Sequence, residues 1–194
     1  FANDFNFKLF KFPNDLSKAL IKKSPAMLCF SNYSWNFELG YKFASLSKQR
    51  DPKLITVFGG PNFPTEINEK IEFLQKSPAI DFNIELEGEL AFENLLNNLI
   101  DNNFNSFSLK KNNKKILNTC YLNENEIISG PIDRIKDINI IPSPYLTGAL
   151  DYYFDYPLLP LLETTRGCPF ACTFCADGIE TKNRVYRVDS ERTK

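Results

Sequence analysis

Two short apolar runs, Ala26-Met27-Leu28-Cys29-Phe30 and Leu54-Ile55-Thr56-Val57-Phe58, are each followed by a loop of small or polar residues and then by a helical period. This rhythm limits the fold more than anything else in the chain. Five consecutive residues of this kind, bounded by turn formers, suit a strand buried on both faces. After the first run, Phe37, Tyr41 and Ala44 recur at i, i+4 and i+7 and mark a helix to about residue 48. After the second, Gly59-Gly60-Pro61 turns the chain, and Ile67, Ile71 and Leu74 line the next helix. Ile80, Phe82, Ile84 and Leu86 then alternate as a half-exposed strand, and Leu90 to Ile100 reads as a long helix with one apolar face. Upstream, the alternation of Phe5, Phe7 and Leu9 predicts a strand over 5–12, and Asp15 to Lys23 a short helix ended by Pro25. Strands alternating with helices imply a parallel sheet with right-handed crossovers. Residues 1–105 are therefore expected to form a doubly wound α/β domain. Such a sheet calls for another central strand ahead of Phe1, so the chain reads as a fragment.

The pattern changes after residue 105. Ile116 to Tyr121 and Glu126 to Ile128 flank the turn-prone Asn123-Glu124-Asn125, which predicts a β-hairpin. Pro131, Pro142, Pro144 and Pro157 punctuate the stretch after the hairpin, so 106–150 is expected to be a hairpin and linker between domains. Residues 151–194 are expected to open a second domain, with Leu158 to Glu163 as its first strand and Ser190 capping a helix.

Composition removes several functions. With 23 basic and 24 acidic residues the net charge is −1, so nothing favours nucleic acid or an anionic membrane surface. The one basic cluster, Lys110, Lys111, Lys114 and Lys115, is interleaved with asparagine and reads as a solvated turn. No apolar run approaches membrane-spanning length. The chain has no histidine, which rules out a Ser-His-Asp or Cys-His catalytic pair and an imidazole metal site within these residues. Five cysteines without an export signal point to a reducing, cytoplasmic setting.

Three of those cysteines, Cys168, Cys172 and Cys175, lie within Arg166-Gly167-Cys168-Pro169-Phe170-Ala171-Cys172-Thr173-Phe174-Cys175. The spacing C-x3-C-x2-C offers three thiolates to a 4Fe-4S cluster, whereas an electron-carrying cubane takes four cysteines. Three ligands leave one iron open to a small molecule. Structural zinc is the alternative, but it wants four ligands, and a fourth thiolate could come only from the remote Cys29 or Cys120. Cys29, inside an apolar run, is expected to be core.

The cysteine loop resembles that of the radical S-adenosylmethionine (radical SAM) enzymes, in which the aromatic before the third cysteine, here Phe174, lies near the bound S-adenosylmethionine. A second resemblance concerns the first domain. Ligands of open parallel sheets bind beyond the carboxyl ends of the strands, and three segments fall there: Ser31 to Asn36, Gly59-Gly60-Pro61-Asn62 and Glu87-Gly88-Glu89. Each alone is ordinary turn chemistry. In this order they look like the Rossmann-like cobalamin-binding domain that precedes the barrel in one radical SAM class, which shows a Gly-Gly-Pro loop and then a Gly-Glu-Gly-Glu stretch. In that stretch Leu86 replaces the first glycine. Pro142-Ser143-Pro144-Tyr145-Leu146 followed by Gly148 resembles the lead-in to the barrel.

The resemblance implies a radical SAM enzyme with a truncated (β/α) barrel and three cofactors: a 4Fe-4S cluster on Cys168, Cys172 and Cys175, S-adenosylmethionine, and cobalamin. Asn32, Tyr33, Gly59, Gly60, Pro61, Glu87, Gly88 and Glu89 would line the cobalamin site, and no catalytic residue is assigned beyond the cluster ligands. The implied partners are a small-molecule substrate and an electron donor. Alternatives are a radical SAM enzyme whose cobalamin-like domain has lost its ligand, or a non-catalytic iron–sulfur or zinc-binding interaction module.

Overall fold

Residues 55–58 are all buried, and this stretch is the second strand of a five-stranded sheet. The computed structural model describes residues 5–175, 177–178, 182–189 and 191, so Ser190 lies outside the described residues. The chain divides into two compact units, one reaching Ile132 and one beginning at Asp133.

In the first unit β1 (Met27–Ser31), β2 (Ile55–Gly59) and β3 (Phe82–Ile84) run parallel, with Met27 opposite Ile55 and Val57 opposite Phe82. The helices α1 (Pro13–Lys22), α2 (Phe37–Arg50), α3 (Ile67–Lys76) and α4 (Gly88–Asp101) occupy the expected intervals. α1 begins at Pro13, whose fixed φ suits a first helical turn. Two apolar clusters cover the two faces of the sheet. Ala44 of α2 and Leu74 of α3 pack with Phe58 on one face, and Ala91, Leu95 and Leu99 of α4 pack with Val57, Phe82 and Ile84 on the other. The fold is α/β, as the alternation predicts.

Several expectations fail for identifiable reasons. Residues 5–10 form no strand: Phe5 packs on Phe104 instead, 5.6 Å between ring centroids, while Phe7 and Leu9 stay exposed. Alternation makes a strand only where a neighbour completes its ladder. The sheet is mixed rather than all-parallel, because a short helix α5 (Ser106–Lys111) returns the chain so that β4 (Thr119–Asn123) runs antiparallel to β3. β5 (Glu126–Ser129) completes the predicted hairpin at the sheet edge, through a turn in which Glu124 takes φ 55°. The hairpin is thus part of the first sheet, where Cys120 and Tyr121 are buried. Cys29, expected in the core, is instead exposed, on β1 at the edge of the sheet. Lys110 is no solvated turn residue. Its ammonium sits 3.2 Å from Asp81 Oδ1 and over the ring of Phe82.

In the second unit, single turns of 3-10 helix at Ile138–Ile140 and Asp151–Asp155 precede a two-stranded ladder of β6 (Thr165–Arg166) and β7 (Tyr186–Arg187). Leu158 to Glu163, expected as a strand, makes no ladder among the described residues. Leu159, Leu161 and Leu162 stand exposed there. The Tyr145 hydroxyl both donates to the carbonyl of Leu161 and accepts from its N–H, tying the stretch around Tyr145 to this segment.

Candidate functional site

The carboxyl ends of β1 and β2 meet in a hydrogen-bonded knot. Asn32 is fully buried. Its N–H donates to the carbonyl of Gly59 at 2.8 Å, its Nδ2 donates to the carbonyl of Asn62, and its Oδ1 accepts from Asn62 Nδ2 at 3.1 Å. The Asn62 N–H closes the knot on the carbonyl of Asn32. Gly60 makes this approach possible: at φ 144° a Cβ there would lie 2.5 Å from the carbonyl oxygen of Asn32. Both sides of the Asn32 amide are spent on the loop, so its role is architectural. Tyr33 and Trp35 project as a stacked pair 4.6 Å apart, on a loop held by the Tyr33 N–H to Asn36 Oδ1 and by Asn36 Nδ2 to the Ser31 hydroxyl.

Beside the knot lies a cavity of about 360 Å3 between the strand ends and the start of α4. Of the residues singled out by sequence, Gly59, Gly60 and Gly88 line it, whereas Asn32, Tyr33, Pro61, Glu87 and Glu89 do not. Glu87 is the buried residue just ahead of α4, and Gly88 is its first residue, with nothing within 4 Å of where a Cβ would be. Cys29, Ser31, Leu86 and Phe92 also line the cavity; the sequence places Ser31 and Leu86 in the strand-end segments without assigning them to the site, and points to neither Cys29 nor Phe92. Ser31 and Cys29 could have been found from β1, because alternate residues of a strand share a face. Leu86 stands at φ 56°, in the left-handed region that glycine enters without penalty. The glycine position of the motif therefore marks a backbone requirement, which this chain meets with leucine.

The cysteine loop hangs from β6. Thr165 pairs with Arg187 and Arg166 with Tyr186, and the Val188 N–H reaches the carbonyl of Thr164. Arg166 forms a bidentate pair with Glu163, at 3.0 and 2.7 Å. Gly167 turns the chain at φ 100°, where a Cβ would collide with the Arg184 carbonyl oxygen at 2.0 Å. Cys168 is half-buried, and Cys172 and Cys175 are exposed on a turn closed by the Cys175 N–H to the carbonyl of Cys172. All three thiols are free, and Phe174 beside them is exposed. Among the described residues no three metal-binding side chains are gathered as for a single ion. The donor set, three unpaired thiols without imidazole, is nevertheless the soft set an iron–sulfur cluster takes. Cys120, one of the two possible fourth ligands, is buried in β4, and that burial pushes its thiol far above the ordinary range.

The first unit thus offers a glycine-walled cavity at its strand ends, and the second a loop with three free thiols. No profile of a known protein family matches the chain. It is 32% identical over 176 residues to a 2-(S-pantetheinyl)-carbapenam-3-carboxylate methyltransferase of Streptantibioticus cattleyicolor, covering 87% of this chain and 24% of that protein. It is 31% identical over 175 residues to the cobalamin-dependent radical SAM methyltransferase TokK of Streptomyces tokunonensis, again over 87% of this chain and 24% of the relative. An uncharacterized methyltransferase of Pyrococcus horikoshii is 27% identical, over 88% of this chain and 36% of its own length. The fold matches the cobalamin-dependent S-adenosylmethionine radical enzyme OxsB with a TM-score of 0.65 and 22% identity, over 94% of this chain and 24% of that one. The relatives of this chain thus include a cobalamin-dependent radical SAM methyltransferase, and the chain spans about a quarter of the length of the first two.

Proposed function

We propose that this chain carries the corrinoid and cluster stations of a radical SAM methyltransferase. The observation that supports this best is that the similarity to two methyltransferases extends over 87% of the chain, so it takes in both units. Cys168, Cys172 and Cys175 would hold the 4Fe-4S cluster, and Phe174 would lie beside S-adenosylmethionine. When bound, the cluster supplies the electron that cleaves S-adenosylmethionine to a 5′-deoxyadenosyl radical, and the corrinoid supplies a methyl group. Gly59, Gly60 and Gly88 would form the wall against which the corrinoid rests, because the absence of side chains leaves the cavity open there. Asn32 holds two of the walls together, and Leu86 and Phe92 would add apolar surface beside them. With no histidine in the chain, no imidazole from these residues would help to hold the corrinoid. The substrate, the electron donor and a cytoplasmic setting belong to the same proposal. No helix among the described residues is long and apolar enough to cross a membrane.

Two variants of the full-length protein separate the stations. Gly88→Leu fills the cavity from a position with no clash at Cβ, and should abolish corrinoid binding while iron content stays at the wild-type level. Cys172→Ala should remove the iron while corrinoid is retained. Loss of both cofactors in both variants, or of neither, contradicts the proposal.

A further inference from the structure

We infer that Arg134 and Asn139 are positioning residues for the cysteine loop, acting through the strand on which that loop closes. This rests on the cluster reading above but is carried by separate contacts. Within the loop from Gly167 to Gly178 the Cys175 N–H donates to the carbonyl of Cys172 and the Gly178 N–H to that of Cys175, and Gly178 packs on the Cys172 backbone. Where the loop sits depends also on its stems. Those stems form a ladder of two residues each, far short of what is stable in water alone. Something else must hold β7 in place.

Arg134 does so from one end. Its Nη1 donates to the carbonyls of Lys182 and Arg184, at 3.2 and 3.3 Å, and its guanidinium carbon lies 5.1 Å from the centre of the Tyr186 ring. The Arg184 carbonyl is the group against which Gly167 is packed. One guanidinium thus fixes the oxygen that determines where Gly167, and with it Cys168, can sit. Asn139 holds the other end, its Oδ1 accepting from the Asp189 N–H at 2.9 Å. The Asn139 side chain is itself oriented by Nδ2 donating to Asp137 Oδ1. The bracing segment is itself anchored, with Ile135 and Ile138 buried. A planar cation with several donors can bond two carbonyls and cover a ring at once, which lysine cannot do.

The test uses the full-length protein and two readouts. In the cluster-free protein, Arg134→Ala should speed hydrogen exchange at Val188 and at the residues of β6 and β7, leaving β1 to β3 unchanged. In the anaerobically reconstituted protein, Arg134→Ala should release iron to a chelator roughly tenfold faster, the change that losing a charge-assisted hydrogen bond brings. Asn139→Ala should move both readouts in the same direction by less, and Arg134→Lys should restore them in part. If Arg134→Ala fails to fold, Arg134→Lys and Asn139→Ala decide. Unchanged exchange at Val188 in the variants that fold overturns the brace. Faster exchange with unchanged iron release overturns its role for the cluster. A wild-type protein that takes up no iron, with exchange behaving as expected, overturns the cluster reading and leaves the brace supported.

Discussion

At the scale of single residues, two backbone positions beside the cavity respond in opposite directions. Gly60 combines a φ of 144° with backbone 2.5 Å from where a Cβ would lie, and neither the angle nor the neighbouring main chain can relax cheaply. Gly60→Ala should cost at least about 2 kcal/mol, because the Asn32–Asn62 knot must open to admit the methyl group. Leu86 carries the left-handed penalty of about 1–2 kcal/mol that glycine does not, partly offset by the extra freedom glycine has when unfolded. Leu86→Gly should therefore raise stability by about 0.5–1 kcal/mol. Urea denaturation followed by circular dichroism measures both. Similar midpoints for the two variants would show that the strand-end loops are softer than this geometry implies.

At the scale of elements, the polar residues at the amino ends of β2 and β3 hold the layers together. Asp81 receives the ammonium of Lys48 from α2 at 2.6 Å and that of Lys110 from α5 at 3.2 Å, so one carboxylate ties a helix on each face to the sheet. Thr56 locks it in place, its N–H donating to Asp81 Oδ2 at 2.9 Å while its hydroxyl accepts from the Asp81 N–H. Burial lowers the pKa of Lys110, and the neighbouring Asp81 offsets this in part. Asp81→Asn would leave two largely buried ammonium groups without a counter-charge, and should cost about 3 kcal/mol, visible as a lower urea midpoint. Lys110→Met beside it should recover much of that loss. If the single variant is as stable as wild type, solvent reaches these ammonium groups more freely than the packing indicates. Local periodicity is enough to read β1, β2, α2 and α4, because each buries a face that recurs in its own sequence. It is not enough for α5, six residues long, or for the place of β4 in the first sheet. Nothing near Thr119 says that its partner is Ile84, 35 positions earlier. Lys110 escapes a local reading for the same reason, since its partner lies 29 residues away. Leu158 to Glu163 has the composition of a strand, yet a strand is made by its neighbour.

At the scale of the whole molecule, the two units pose different problems for the same reading. The first has a cavity, and its sequence signals are weak: Gly59, Gly60 and Gly88 line the space, but turn chemistry alone would explain such glycines. The second has a strong signal and, among the described residues, no gathered metal site. C-x3-C-x2-C is fully legible, whereas the Arg134 and Asn139 contacts to 182–189 are not, being made across about 50 residues. The central claim is that one protein holds both a three-cysteine cluster and a corrinoid. The most direct measurement is quantification of iron, acid-labile sulfide, zinc and corrinoid in a single anaerobic preparation of the full-length protein. About four irons with matching sulfide, as a three-thiolate cubane requires, together with an equimolar corrinoid and no zinc, is the predicted result. One zinc per chain, without sulfide or corrinoid, would contradict it.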